Sequence, residues 1–175
     1  MTDRTDQLLE VWKTTIDVQK HFNELEMRVR SVAITILAAF LAAAGYTVKE
    51  GLSLRVFGGE IPLAVLVFSA ASICWSAFYL MDGLWYHRLL RGAVAHGLKV
   101  EEALKETLPE IGLTQSIGEA SPFLVKGRKI GSKQKMNWFY GSILVLLLGG
   151  AVGSYFNQPR DPAPAATTTL SKRAT

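Results

Sequence analysis

The chain has 175 residues, of which 49% are hydrophobic, with a net charge of +4 and a mean hydropathy of +0.21. That length would suit one ordinary domain, but a single cysteine, Cys74, excludes a disulfide framework and any cysteine-based zinc site. The apolar residues concentrate in three stretches free of charge: Ser31 to Val48, Ile61 to Met81, and Met136 to Gln158, whose apolar core ends near Phe156.

Residues 1–30 read as an amphipathic helix. Leu8, Val11, Thr15, Val18, Phe22, Leu25, Val29, Val32 and Ile36 alternate steps of three and four, which is a heptad seam. No Gly or Pro falls between Thr2 and Phe40, so one helix is expected to run from this segment straight into the first apolar stretch. Leu9, Trp12 and Ile16 widen its apolar face beyond a two-stranded seam, which points to more than one neighbour. The alternative is an amphipathic helix lying on the membrane surface, but mixed charge on the face opposite the seam, with Asp17, Glu24 and Glu26 among the basic residues, argues against simple attraction to anionic lipid. The first thirty residues hold five Lys/Arg and six Asp/Glu, unlike the cationic leader of a cleaved signal peptide. The first apolar stretch is therefore expected to stay as an anchor.

A hydrocarbon core of about 30 Å needs about 20 helical residues, so each apolar stretch is long enough to span it. The expected order is a transmembrane helix over 31–48, a short outer loop over 49–60, and a second span over 61–81. A connection over 82–135, a third span over 136–156 and a disordered tail over 157–175 follow. The second span is expected to continue as a helix to about Glu106 through Leu84, Leu89, Leu90, Val94, Leu98 and Leu104, lying against the N-terminal helix. Pro109 and Gly112 end it, and a short helix near Thr114 to Glu119 precedes a mostly extended loop. The fold class is all-α: an integral membrane protein with three transmembrane helices.

Basic residues set the expected orientation, because Lys and Arg near span ends are retained in the cytoplasm. The first segment carries Arg4, Lys13, Lys20, Arg28 and Arg30, and the 82–135 connection carries nine basic residues. The 49–60 loop has only Lys49 and Arg55, balanced by Glu50 and Glu60. With three spans both basic regions fall on one side, giving a cytoplasmic N-terminus and an outer C-terminus. Trp85, Tyr86, Trp138 and Tyr140 are expected to share the inner headgroup level, with Tyr46 and Tyr155 at the opposite one.

Two clusters invite a functional reading. In DGLWYHRLLRG, Asp82 to Gly92, the residues Arg88 and Arg91 are placed to meet lipid phosphates. His87 could act as a general base or proton switch, but His96, nine residues on, points to the opposite side of a helix, so no metal site forms from the two. In KGRKIGSKQK, the residues Lys126, Arg128, Lys129, Lys133 and Lys135 suit anions. Only three residues separate Gly127 from Gly131, where a Walker A loop needs four, and Ser132 precedes Lys133, so this is no such loop. Lipid headgroups are the favoured contact, with a nucleotide as the alternative.

No Asp, Glu, Lys, Arg or His lies inside any span, which weighs against a pump or secondary transporter. Small residues recur at interface spacing: Ser69, Ser72, Ser76 and Gly83; Ala38, Ala42 and Gly45; Gly149 and Gly153. They point to helix packing and self-association, and Thr35, Ser72 and Ser76 are candidates to line a pore. No nucleophile and base are spaced as a known motif, so no catalytic residue is expected. No metal, cofactor or direct nucleic-acid contact is expected either.

The helix WKTTIDVQKHFNELEMRVRSVAITIL, a short outer hairpin, a second span and the extension WYHRLLRGAVAHGLKVEEAL resemble in plan the SLATT-type membrane effectors of bacteria. The resemblance covers about the first 105 residues and is one of architecture; that family has two spans, where this chain has a third. It implies a membrane-disrupting or pore-forming effector of a bacterial conflict or antiphage system, in the inner membrane, triggered by a nucleotide signal or a cytoplasmic partner. The alternative is an accessory or scaffold subunit that holds a partner through the seam Leu8, Val11, Val18, Phe22, Leu25 and Val29.

Overall fold

The computed structural model describes residues 2–56, 58–125 and 128–157. The architecture is all-α, about 82% helical, and three of its helices are long and apolar enough to cross a membrane.

α1 (Thr2–Lys49) is a single helix of 48 residues, about 72 Å long at 1.5 Å per residue. Its first half is a polar stalk and its second half is apolar, as the absence of helix breakers requires. Gly51 then takes a φ of 62°, a left-handed conformation that a side chain would strain, and ends the helix. β1 (Ser53–Val56) and β2 (Gly59–Pro62) pair antiparallel, with Leu54 opposite Ile61 and Arg55 opposite Glu60. The expected outer loop is thus a hairpin, and Ile61 and Pro62 belong to its second strand and not to the span.

α2 (Leu63–Leu80), a π-helical segment (Met81–Tyr86) and α3 (His87–Leu104) form one continuous helix of 42 residues. It runs antiparallel to α1: Arg30 meets Asp82, Glu26 meets His87, Gln19 meets Ala93 and Trp12 meets Glu101. The expected extension of the second span into a stalk is present and ends at Leu104. α4 (Leu113–Ala120) folds back on α3. β3 (Phe123–Val125) and β4 (Arg128–Ile130) then form a second antiparallel hairpin where an extended loop was expected. α5 (Ser132–Phe156) returns alongside α2. Lys133 and Lys135 therefore sit in the first turn of α5, not in a loop. Gly131 and Gln134 cap that helix: the Gly131 N–H donates to Gln134 Oε1 over 3.1 Å.

α2 is the middle helix, flanked by α1 and α5. The core between the three consists of Ala33, Ala71, Trp75, Met136, Tyr140 and Leu147, with Leu37, Phe40, Phe68, Phe78 and Ile143 packed around it. Trp75 Nε1 donates to the Tyr140 carbonyl over 2.9 Å, which satisfies the buried indole. The outward faces stay apolar and uncovered. Ile73 and Leu146 are each 73% exposed, as a lipid-facing surface demands and a water-facing one would not tolerate.

Candidate functional site

The polar centre of the molecule lies where the apolar bundle meets the stalk, and it is assembled from all three long helices. Glu26 and Arg30 stand one turn apart on α1, spaced i,i+4, so both reach the same neighbour. Arg30 Nε donates to Asp82 Oδ2 over 2.7 Å, Nη2 donates to Asp82 Oδ1 over 3.3 Å, and Nη2 also donates to Glu26 Oε2 over 3.0 Å. Tyr140 Oη on α5 donates to Asp82 Oδ2 over 3.1 Å. His87 Nδ1 lies 3.2 Å from Glu26 Oε1. Asp82 is 0% exposed, and Glu26 and His87 are also buried.

The π-helical segment explains why Asp82 and His87 act together. In an α-helix, residues five apart are rotated by about 140°, since each residue turns about 100°. In a π turn the hydrogen bond runs i to i+5, and here the His87 N–H donates to the Asp82 carbonyl. Asp82 and His87 are therefore stacked on one face, both directed at α1. Gly83 permits the close approach of α5, because a Cβ there would stand 3.0 Å from Met136 Cε.

Burial holds the Glu26 carboxyl above its ordinary range, against the pull of Arg30 and His87. Burial also opposes the charge on Arg30, yet its hydrogen bond and ion pair with Asp82 outweigh that and leave its pKa raised. Among the described residues, every buried side-chain nitrogen or oxygen has a partner. A bidentate, fully hydrogen-bonded arrangement of this kind is the geometry in which buried charges are tolerated.

A second polar clasp closes the far end of the stalk. Glu101 on α3 accepts from the Thr114 N–H at 2.7 Å, the Gln115 N–H at 3.1 Å and Trp12 Nε1 at 3.2 Å. Its carboxylate thus caps the positive N-terminus of α4 while holding α1. Burial works against that charge, but the hydrogen bonds of Thr114, Trp12 and Gln115 prevail and lower its pKa. Gln19 Nε2 adds bonds to the Ala93 carbonyl at 3.3 Å and Thr114 Oγ1 at 3.4 Å.

The residues singled out from the sequence are spread around these two centres. Of the seam, Leu8, Phe22, Leu25 and Val29 are half-buried, but Val11 and Val18 are 42% and 40% exposed. The line that meets α3 runs one position over, through Trp12, Gln19 and Glu26. Val11 and Val18 instead border an open groove of about 370 Å³ shared with Thr14, Thr15, Ala93 and His96. Arg88, Arg91, Lys129 and Lys133 are exposed. Lys135 Nζ donates to the Ser121 carbonyl over 2.7 Å. Lys126, Gly127 and the tail over 158–175 lie outside the described residues, as does the Arg128 side chain.

Within the spans, Ser72 is buried, and Ser69 and Ser76 are half-buried. Ser72 and Ser76 direct their hydroxyls back to the carbonyls of Phe68 and Ser72, each at 2.8 Å. Thr35 is exposed and bonds back to Ser31. A methyl group added at Gly149 or Gly153 would meet nothing within 4 Å, whereas Gly150 lies against the Phe68 ring. The close helix approach within the chain thus falls on Gly150, one residue from the expected pair. Trp85 and Trp138 are 67% and 75% exposed, as interfacial anchors would be. Tyr140 departs from that expectation: it is buried and turned inward to Asp82. His87, the candidate general base or proton switch, has its partner in Glu26, 61 residues earlier.

Sequence reasoning missed Glu26, Arg30, Asp82, Tyr140 and Glu101 as site residues. The available signal was an acid at the first position after a span, together with an i,i+4 acid–base pair on α1; Glu26, expected on the polar face opposite the seam, is instead buried against His87, because the helix turns that side to α3. Among the described residues, no group of three or more His, Cys, Asp or Glu side chains is arranged to hold a metal ion. No protein-family model, curated protein or solved structure matches the chain.

Proposed function

We propose that this chain is a non-enzymatic membrane protein that works as an oligomeric, membrane-disrupting or pore-forming effector of the bacterial conflict type, gated from its stalk. The observation that carries this reading is the buried cluster Glu26, Arg30, Asp82, His87 and Tyr140, which ties α1, α2 and α5 together where the stalk enters the bundle. Buried ion pairs add little net stability over apolar packing, and their attested use is to select one arrangement among several. A latch between stalk and spans is what a bistable bundle requires. The stalk receives a nucleotide signal or a protein partner, the latch loosens, and the spans repack. The positive-inside asymmetry supports an inner-membrane location with the stalk in the cytoplasm.

The second reading, a scaffold subunit, draws on the exposed edge of the seam at Val11 and Val18, which offers a helical partner an apolar groove. Membrane potential on induced expression separates the two. An effector whose latch is cut by Asp82→Asn depolarises cells, and bulky replacement at Ser72 or Ser76 abolishes that effect. A potential left intact by Asp82→Asn, together with co-purification of a fixed partner lost on Val18→Asp, sinks the effector reading in favour of the scaffold.

A further inference from the structure

The charges of the buried cluster do not balance by themselves. Glu26 and Asp82 supply two carboxylates, Arg30 supplies one guanidinium, and Tyr140 supplies a neutral hydroxyl that already donates to Asp82. With a neutral imidazole on His87 the set carries one uncompensated negative charge on carboxylates that are buried. An isolated charge under such burial is costly enough that a group takes up a proton instead. Asp82 is poorly suited to receive it, since Arg30 grips it through both oxygens and Tyr140 donates to it as well. The remaining contact is that between Glu26 Oε1 and His87 Nδ1, at 3.2 Å, where either atom can carry the hydrogen.

We propose that Glu26 and His87 form a proton-binding site that holds one exchangeable proton, and that loss of this proton to the stalk-side water loosens the latch. With the proton aboard the cluster is neutral, whether the hydrogen resides on the carboxyl or on the imidazole. Without it, Glu26 and Asp82 are two carboxylates competing for one guanidinium. No other reactant is needed: the proton comes from bulk water and returns to it.

The raised pKa of Glu26 agrees in sign. A carboxyl lifted above its unfolded value by burial contributes stability while protonated, and that contribution disappears as pH rises through the lifted value. Closure is therefore favoured by acid and release by alkali. Every element in contact with the site takes part: Glu26 and Arg30 from α1, Asp82 and His87 from the α2–α3 helix, and Tyr140 from α5. The proton site stands on the cluster's geometry. Its link to release rests on the latch reading above.

The test uses the full chain in lipid nanodiscs, with exposed His21 and His96 replaced by Gln so that His87 is the only histidine. The His87 ring nitrogens and the Glu26 carboxyl carbon are followed by NMR through a pH series. The expected result is one shared window in which both resonances move, with the Glu26 inflection displaced to another pH in His87→Gln. Two separate windows with no reciprocal inflection overturn the proton site. In a Cys74→Ser background, spin labels at positions 28 and 88, both exposed and each next to or near a pair member, then report the gap between α1 and α3. That distance is expected to lengthen in the same window and to stay short at every pH in Glu26→Gln, where no second carboxylate can develop to compete for Arg30. A constant distance through the window overturns the coupling, even where the shared proton is found. The expression assay above, which reads depolarisation, fails independently of both.

Discussion

Asp82 is the residue on which the bundle's polar centre turns. It is fully buried and accepts from Arg30 twice and from Tyr140 once, so removing it leaves the largely buried Arg30 guanidinium without its main partner. Asp82→Ala is expected to cost about 3–5 kcal/mol, the range for breaking a buried pair from one side. Unfolding in a graded detergent–denaturant series measures it, and a loss below about 1 kcal/mol on the same scale would mean that the pair is wet. Glycines supply a second test at this scale. A methyl on Gly150 would stand 2.7 Å from one Phe68 ring carbon and 2.8 Å from the next, whereas Gly149 meets nothing within 4 Å. Gly150→Ala should destabilise by about 1–3 kcal/mol through overpacking, with Gly149→Ala close to neutral in the same assay. From sequence these two positions are indistinguishable, because a small residue records that close approach is allowed and not which neighbour makes it.

At the scale of elements, the π-helical segment is the feature that makes the cluster and the one most hidden from sequence. Reading residues 82 to 87 with an α-helical period separates Asp82 from His87, so no helical wheel places them on a common site. Deletion offers a direct check. Removing Leu84, an exposed residue inside the segment, turns the spacing from i,i+5 into i,i+4 and relaxes the π turn to an α turn with both side chains still on one face. That variant should keep the Arg30–Asp82 and Glu26–His87 contacts. Deleting Ala95 in the regular helix α3 should instead rotate everything beyond it by about 100° and break the Trp12–Glu101 contact. Cysteine pairs at 19 and 93 and at 12 and 101 report the two outcomes by cross-linking, and loss of the 19–93 cross-link in the Leu84 deletion would refute the π account. The stalk clasp has its own pH signature. Hydrogen bonds hold the pKa of Glu101 below its ordinary value, so the stability it gives α4 is present above the unfolded carboxyl range and is lost as pH falls through the lowered value. The Thr114 and Gln115 amide resonances should therefore move together at acid pH, and Glu101→Ala should remove that transition with a cost of about 0.5–2 kcal/mol, as for other lost caps.

For the molecule as a whole, long apolar runs were legible because their length is set by the bilayer and not by partners, and so was the continuous α1, which lacks Gly and Pro up to Phe40. What brings Glu26 beside His87, or Trp12 beside Glu101, is antiparallel packing of two helices whose register depends on the hairpin between them, and no local pattern encodes that register. The same hairpin makes the threading testable. The expected orientation follows from basic residues alone, yet the fold adds an independent constraint: α1 and the α2–α3 helix share one stalk, so residues 20 and 91 must lie on one face of the membrane whatever the orientation. α5 is tied to that face by the Lys135 contact with Ser121, and Ser53 is at the other end of α1. Single cysteines at positions 20, 91, 129 and 53 in a Cys74→Ser background, labelled with an impermeant maleimide on intact cells, should react at 53 alone and at the other three only after the inner membrane is opened. Reaction of 20, 91 and 129 on intact cells would invert the orientation and leave the bundle intact. Reaction of 20 with protection of 91 would be a different result, because it separates two helices that pack along their whole stalk, and it would remove the latch together with everything inferred from it.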